Sequence, residues 1–468
     1  MNKFVRSLAV TLVTALALAG CGGGGSAAGN SSPVDNSNGA NALLAAPSTL
    51  ANICTPDGEK AWIRSYLNDV YLWYNEIVDV PAVNYTTPDS YFDALLVRNR
   101  DRFSFTSSTG DINGFFQSGF DIGYGASLVN QAGKLRVAYV EPGSPADQQH
   151  IARGAQITGI DGTPVGQLDS AVQTAALYPS TAGTIHSFDI LDEGALSSRT
   201  VQMAAVSVVK TPVLDNTIIA TAGKKIGYLV FTDHVATAEL PLLSAFQNFA
   251  AAGIDDLVLD VRYNGGGYLY IANEVAAMIG GAKVQNQLFE QLRFNDKHPE
   301  KTNDPAYRMY FANQSTQLIS LPQLNLPRVF VLTTGSSCSA TESIINSLSP
   351  FMQVITIGGT TCGKPYGFIQ QDNCDTSYFA IQFDGVNAAG TGSYTNGFAP
   401  ACSVTDDLDH ALGDRSERLL STALSYSQNS VCPAAGFSRS QLAQSSRPAA
   451  ELERYPWRNN RILKPGTR

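Results

Sequence analysis

Three short segments of this 468-residue chain hold residues whose types and spacing could carry out nucleophilic chemistry. Ser339 stands between the loop Thr333-Thr-Gly-Ser-Ser-Cys338 and a helical pattern over residues 340–348. The first N–H groups of a helix lack an intrahelical acceptor and lie at the positive end of its dipole, so a developing oxyanion is stabilised there. Taken alone, the placement reads as an ordinary helix cap. Lys364 changes the balance. It follows the apolar run 354–357 through Gly358-Gly-Thr-Thr-Cys-Gly363. Alone it would be a surface lysine in a glycine turn, but a lysine whose charge is disfavoured by burial can take the proton of a serine hydroxyl. The third segment is Asp260-Val-Arg-Tyr-Asn-Gly-Gly-Gly267. Its glycines let the backbone turn tightly and approach a substrate closely. The N–H groups of Gly266 and Ala340 are the candidate oxyanion hole. Phosphate binding is a weaker use of the same loop, which has neither a P-loop Lys-Ser/Thr nor GxGxxG.

For these segments to meet, the elements around them must bring them to one edge. Apolar runs at 227–231, 257–260, 329–332 and 354–357 alternate with helical patterns, such as Leu242, Phe246 and Phe249. That alternation predicts a mainly parallel sheet covered by helices, with neighbouring strand ends on one side. Before it lies a segment of short strands, residues 135–140 and 156–160, the latter followed by the hairpin signal Asp161-Gly162. Earlier still, Ile63, Leu67, Val70, Tyr74 and Ile77 recur at helical spacing after Thr55-Pro56-Asp57, and the aromatics Trp62, Trp73 and Tyr74 read as core.

Together the three motifs resemble peptidase family S41, the C-terminal processing peptidases, over residues 55–425. The family shows Asp-Leu-Arg-x-Asn-x-Gly-Gly, then Ser-Ala-Ser/Thr-Glu, then Gly-Lys. Here the matching pieces are Asp260–Gly267, Ser339-Ala-Thr-Glu342 and Gly363-Lys364. The resemblance implies a serine endopeptidase with Ser339 as nucleophile and Lys364 as base, needing no metal and no cofactor. It also implies a PDZ domain that binds substrate C-termini. Gly143-Ser-Pro-Ala146 and Ile157–Val165 look like that domain's central part, and Gly123, Tyr124, Gly125 and Ala126 like its carboxylate-binding loop. The implied fold is multidomain: an N-terminal helical segment, a small mainly-β PDZ domain, and an α/β protease core with a mainly parallel sheet of the ClpP/crotonase type. The boundaries expected are 54–105, 106–210 and 211–430, with 431–468 a tail packed loosely on the surface. Many members place a Gln four residues after the Lys to orient its amine. Position 368 is Phe, so Gln370 is the weak replacement candidate, and Phe368 and Ile357 are candidate apolar neighbours of the amine. Two other readings compete. One is a Ser-His-Asp hydrolase drawing on His150, His186, His234, His298 or His410, although no GxSxG surrounds Ser339. The other is a non-catalytic PDZ-type peptide-binding lipoprotein.

The N-terminus carries its own message. Lys3 and Arg6 precede an apolar run to Ala19, too short to span a bilayer, ending in Leu18-Ala19-Gly20-Cys21. This resembles a bacterial lipobox. Residues 1–20 are then a signal peptide, Cys21 the lipidated first residue, and 21–53 a Gly/Ser/Asn-rich tether. Gly22 after the Cys favours an outer-membrane anchor, facing the periplasm or the cell surface. A net charge of −9 argues against a nucleic-acid partner, since phosphates need a basic face. With Cys21 set aside, six cysteines remain, and an oxidising compartment allows three disulfides in any of 15 pairings. One bridge is expected between Cys362 and Cys374, which flank the segment after Lys364.

Overall fold

The computed structural model describes residues 44–433 except 222, and residues 460–464. The expected leader, Cys21 and most of the expected tether lie outside the described residues. Among the described residues no helix is long and apolar enough to cross a membrane.

Helix α1, Pro56–Val70, starts at Thr55, whose side chain accepts from the Gly58 N–H, with Pro56 at the first position. The apolar repeat predicted its continuation to residue 77, but the helix stops at Val70. Tertiary bonds draw the chain away there: Leu72 N–H donates to Ile381 C=O, and the Tyr71 hydroxyl donates to Asp101 at 2.7 Å. Helices α2, Pro88–Leu95, and α3, Thr109–Ser118, follow. Trp62, Phe92 and Phe116 are buried in the same apolar cluster as Phe246 and Leu259, so this helical region shares its core with the large sheet.

A second, separate cluster lies beneath a small β-structure. Strand β1, Phe120–Gly123, pairs antiparallel with β7, Val206–Val209. Strands β2 (Ala126–Gln131), β3 (Lys134–Val140), β4 (Gln156–Ile160), β5 (Ile185–Leu191) and β6 (Arg199–Ala204) form an antiparallel sheet in that spatial order. The Asp161-Gly162 hairpin is present, with both residues at positive φ (49° and 75°), as a tight two-residue turn requires. Helix α4, Ser170–Leu177, packs on this unit.

The large sheet has the order β8 (Val213–Thr221), β9 (Lys224–Phe231), β10 (Asp256–Asp260), β12 (Arg328–Thr333), β13 (Gln353–Gly358), β15 (Cys402–Ser403). Only the β8–β9 pair is antiparallel; every later pair is parallel. Strand β10 is buried along its whole length, as expected of a parallel strand covered on both faces. Helices α5 (Glu239–Ala252), α6 (Leu269–Gly280) and α7 (Ala340–Leu348) join the strands and line one core, while α8 (Arg418–Asn429) packs its Leu419 and Leu420 into the other. Three short strands complete the frame: β11 (Gly266–Tyr268), β14 (Tyr366–Gly367) and β16 (Asn460–Ile462). The last corrects the expectation of a loose surface tail. Residues 460–462 pair with β11, and Ile462 is only 2% exposed.

The core carries one titratable oddity, on α6. Glu274 lies beside Glu239, and its carboxyl is pushed up to about 9, first by burial and then by the Glu239 charge. A folded-state value above the unfolded one means that the bound proton stabilises the fold. That contribution is complete below about pH 4.5 and drains away as pH rises through 9. Glu274→Gln, which keeps a neutral donor in place, should therefore gain thermal stability relative to the parent at pH 9 but not at pH 5. Melting curves at the two pH values check this, and an equal shift at both would contradict it.

Candidate active site

Strands β12 and β13 are adjacent and parallel, with Thr333 opposite Gly358, so the loops leaving their C-terminal ends rise side by side. The first carries Ser339 and the second Lys364; both residues are 0% exposed. Ser339 sits at the N-cap of α7 with φ 64° and ψ −116°, a strained conformation for a residue with a Cβ. Such a strand-to-helix turn lifts a side chain clear of its own backbone. The Ser339 hydroxyl is buried and has no hydrogen-bond partner among the described residues, although it stands in the capping-box position before Glu342.

Glu342, one turn into α7, ties the two loops together. Its Oε2 accepts from the Ser339 N–H (2.9 Å) and the Lys364 N–H (2.8 Å), and its Oε1 accepts from the Gly363 N–H (2.8 Å) and the Thr361 hydroxyl (2.6 Å). Burial pushes the Glu342 carboxyl up, opposed by the Thr361 hydroxyl and the three backbone donors. A second tie is covalent. Cys338 is bonded to Cys362, with Cα atoms 5.1 Å apart, and Cys362 N–H donates to Ser337 C=O. This corrects the expected Cys362–Cys374 bridge. Cys374 pairs instead with Cys54, 320 positions away, and Cys402 with Cys432. A disulfide remains next to Lys364, but it links the Ser339 loop to the Lys364 loop.

The Lys364 ammonium lies over two aromatic rings, 4.0 Å from the Phe368 centroid and 4.9 Å from that of Phe103. Phe368 was expected there. Phe103, contributed by the N-terminal region, has no sequence signal, since it is 261 positions from the lysine it faces. Ile357 belongs to the apolar cluster containing Leu419. Gln370 does not take the orienting role: its amide donates to Asp372 (3.0 Å) and Ser377 (3.3 Å) on the neighbouring hairpin. Phe368 stands at the position where the resemblance implies a Gln, and its ring face lies against the amine.

The glycine turn is organised by Asn264. Its Oδ1 accepts from Gly266 N–H (2.9 Å) and the Thr341 hydroxyl (3.0 Å) and faces His234 Nδ1 (2.9 Å). The Gly266 N–H, expected to face an oxyanion, is thus committed to Asn264. The Ala340 N–H remains at the first position of α7, beyond reach of any helix carbonyl. Below the turn, the buried Arg262 is held by Asp260, Glu417 and Asp406, and Asp406 also takes Arg153 of the small β-unit. His234 is the only histidine next to the turn. Burial lowers its pKa to about 3, so it is neutral, and its Nδ1 meets an amide oxygen rather than a carboxylate. His186, His298 and His410 pair with acids elsewhere, and His150 lies in the small β-unit. The described geometry aligns no Ser-His-Asp relay.

The carboxylate-loop candidates lie between β1 and β2. Tyr124 is buried, Gly125 has φ 84°, and the cleft beside them is lined by Leu128, Leu177 and Tyr178. A Cβ at Gly125 would strike the Ser144 side chain, so the loop needs glycine there.

Comparison with known proteins agrees with this geometry. Residues 58–105 match the peptidase S41 N-terminal domain, and residues 225–387 match peptidase family S41. A carboxyl-terminal-processing protease of Picosynechococcus sp. is 24% identical over 283 residues, covering 60% of this chain and 61% of that protein. The same-named protein of Synechocystis sp. is 24% identical over 172 residues, 37% of this chain and 38% of its own length. The chain thus spans less than two thirds of these curated relatives. A solved structure described as an S41 protease of Bacteroides fragilis superposes with a TM-score of 0.63 at 27% identity, over 79% of this chain and 97% of that one.

Glu342→Gln tests the tie between the loops. Both carboxylate oxygens take two donors, so an amide must turn its NH2 towards one such pair and lose both bonds. We expect stability to fall by about 1–3 kcal/mol. Peptidase activity should fall by roughly 100-fold as the loops shift. A variant with unchanged melting temperature and activity would remove Glu342 from this role.

Proposed function

We propose that the chain is a serine endopeptidase of family S41, acting through Ser339 and Lys364. The observation that carries the reading is the single buried carboxylate that holds the backbones of both residues, beside a serine hydroxyl left uncommitted. In the proposed cycle Ser339 Oγ attacks a peptide carbonyl while the neutral Lys364 amine accepts its proton. The Ala340 N–H stabilises the oxyanion, with the glycine turn closing the other side. The C–N bond then breaks, the Lys364 ammonium returns its proton to the departing amine, and the acyl-enzyme is hydrolysed by water activated by the same base. Phe103 and Phe368 exclude water from the amine, which disfavours its charged form.

An amine accepts a proton only when neutral, so activity should rise with pH. Ser339→Ala should abolish hydrolysis. Lys364→Ala and Lys364→Arg should each lose roughly 10²–10⁴-fold, because a guanidinium stays charged. Digestion of a peptide mixture read by mass spectrometry decides this. Substantial activity in Lys364→Arg would sink the dyad, whereas bound peptide without any hydrolysis by the parent would favour the non-catalytic reading.

We further propose that the small β-unit is a PDZ-type domain. A substrate's C-terminal carboxylate would meet the Gly123–Ala126 loop while its chain adds alongside β2. Peptides ending in an apolar residue and a free carboxylate should bind at least tenfold more tightly than their amides, a difference of about 1.4 kcal/mol. Equal affinity by calorimetry would remove this assignment. The Leu-Ala-Gly-Cys21 pattern supports a third part of the proposal, a lipid anchor that places the enzyme in the cell envelope, with Gly22 directing it to the outer membrane. Cys21→Ser should shift the protein out of the membrane fraction; a processed variant that still sediments with membranes would rule the anchor out.

A further inference from the structure

Strand β16 occupies a particular place. Asn460, Arg461 and Ile462 pair in parallel with Gly266, Gly267 and Tyr268, the strand that issues from the glycine turn. On its other side Ile462 bridges Phe368, and the Leu463 N–H donates to Phe368 C=O at 2.9 Å. Phe368 lies four residues after Lys364, and the strand also touches α7, which begins at the residue after Ser339. Residues 460–463 therefore run between the three segments that carry the proposed chemistry. Ile462, 2% exposed, shares its apolar cluster with Ala340, Tyr268 and Phe368. Beyond it, the Lys464 ammonium lies 5.4 Å from the Tyr268 ring centroid.

A protease must admit an extended chain beside its nucleophile, and a sheet edge with free backbone groups is the usual way to hold one. Here an edge of β11 and the Phe368 segment are a single strand apart, and the chain's own residues 460–463 fill that gap. We infer that this strand is a resident occupant of the substrate channel, which competes with peptide substrates and marks the Ile462 position as a pocket for branched apolar side chains. The inference rests on the peptidase reading for its consequence in catalysis, but not for the docking itself. When a binding site is open in only a fraction of molecules, apparent affinity for a ligand falls by that fraction.

The test uses the full-length chain. Ile462→Asp places a charge in the apolar pocket, and Leu463→Pro removes the N–H given to Phe368. Each should raise kcat/KM on an unrelated peptide about tenfold, mostly through KM, if the strand is docked roughly nine-tenths of the time. A synthetic peptide of residues 458–466 should inhibit Ile462→Asp competitively, and its own Ile462→Asp version should not. Independently of activity, the fluorescent wild-type peptide should bind the Ser339→Ala/Ile462→Asp double variant by anisotropy. Lower activity in both single variants with unchanged melting temperatures, or no binding of the peptide, would overturn the inference. Peptide binding without hydrolysis by any form would uphold the occupant and reject the peptidase reading.

Discussion

One carboxylate organises the catalytic end of this molecule. Glu342 is fully enclosed, and all four of its close partners are donors: three backbone N–H groups and a hydroxyl. A carboxylate without such partners would be costly inside a protein, so its burial forces the surrounding loops to supply them. The loops that do so are those of Ser339 and of Lys364. Their relative position is set by the need to satisfy one acid, not by any direct attraction between a hydroxyl and an amine. The Cys338–Cys362 bridge fixes the same two loops a second time, covalently, as an oxidising compartment permits.

Asn264 plays the matching part on the opposite wall. One amide oxygen gathers a glycine N–H, the Thr341 hydroxyl and a neutral histidine. The glycine turn is thereby attached to the first turn of α7, which also carries the Ala340 N–H. The Arg262 cluster anchors the turn from beneath and, through Asp406 and Arg153, joins it to the small β-unit. A peptide engaged by that unit would thus be mechanically connected to the glycine turn through buried, charge-assisted hydrogen bonds.

The environment of Lys364 departs from the usual pattern of the family that the three motifs resemble. Where a Gln amide would hold the amine, two phenyl rings flank it. A ring face attracts an ammonium, while the exclusion of water that accompanies it favours the neutral amine. One of the two rings is lent by the N-terminal helical region. That region shares the large core, which brings Phe103 beside Lys364.

Much of this was legible in the chain itself. The strand–helix–strand order, the Asp161-Gly162 turn and the Ser339, Lys364 and glycine motifs follow from local periodicity and spacing, which act over a few residues and leave a direct trace in sequence. The features that sequence did not disclose are choices of partner, some between distant segments and some between near neighbours. The disulfide partners, Phe103 over Lys364, Gln370 turned towards Asp372 and Ser377, the Gly266 N–H given to Asn264, and residues 460–462 added beside β11 each depend on which loops meet once the parallel sheet has formed. Residue type limits what a side chain can do, but its partner is chosen by packing, and packing is a property of the assembled core.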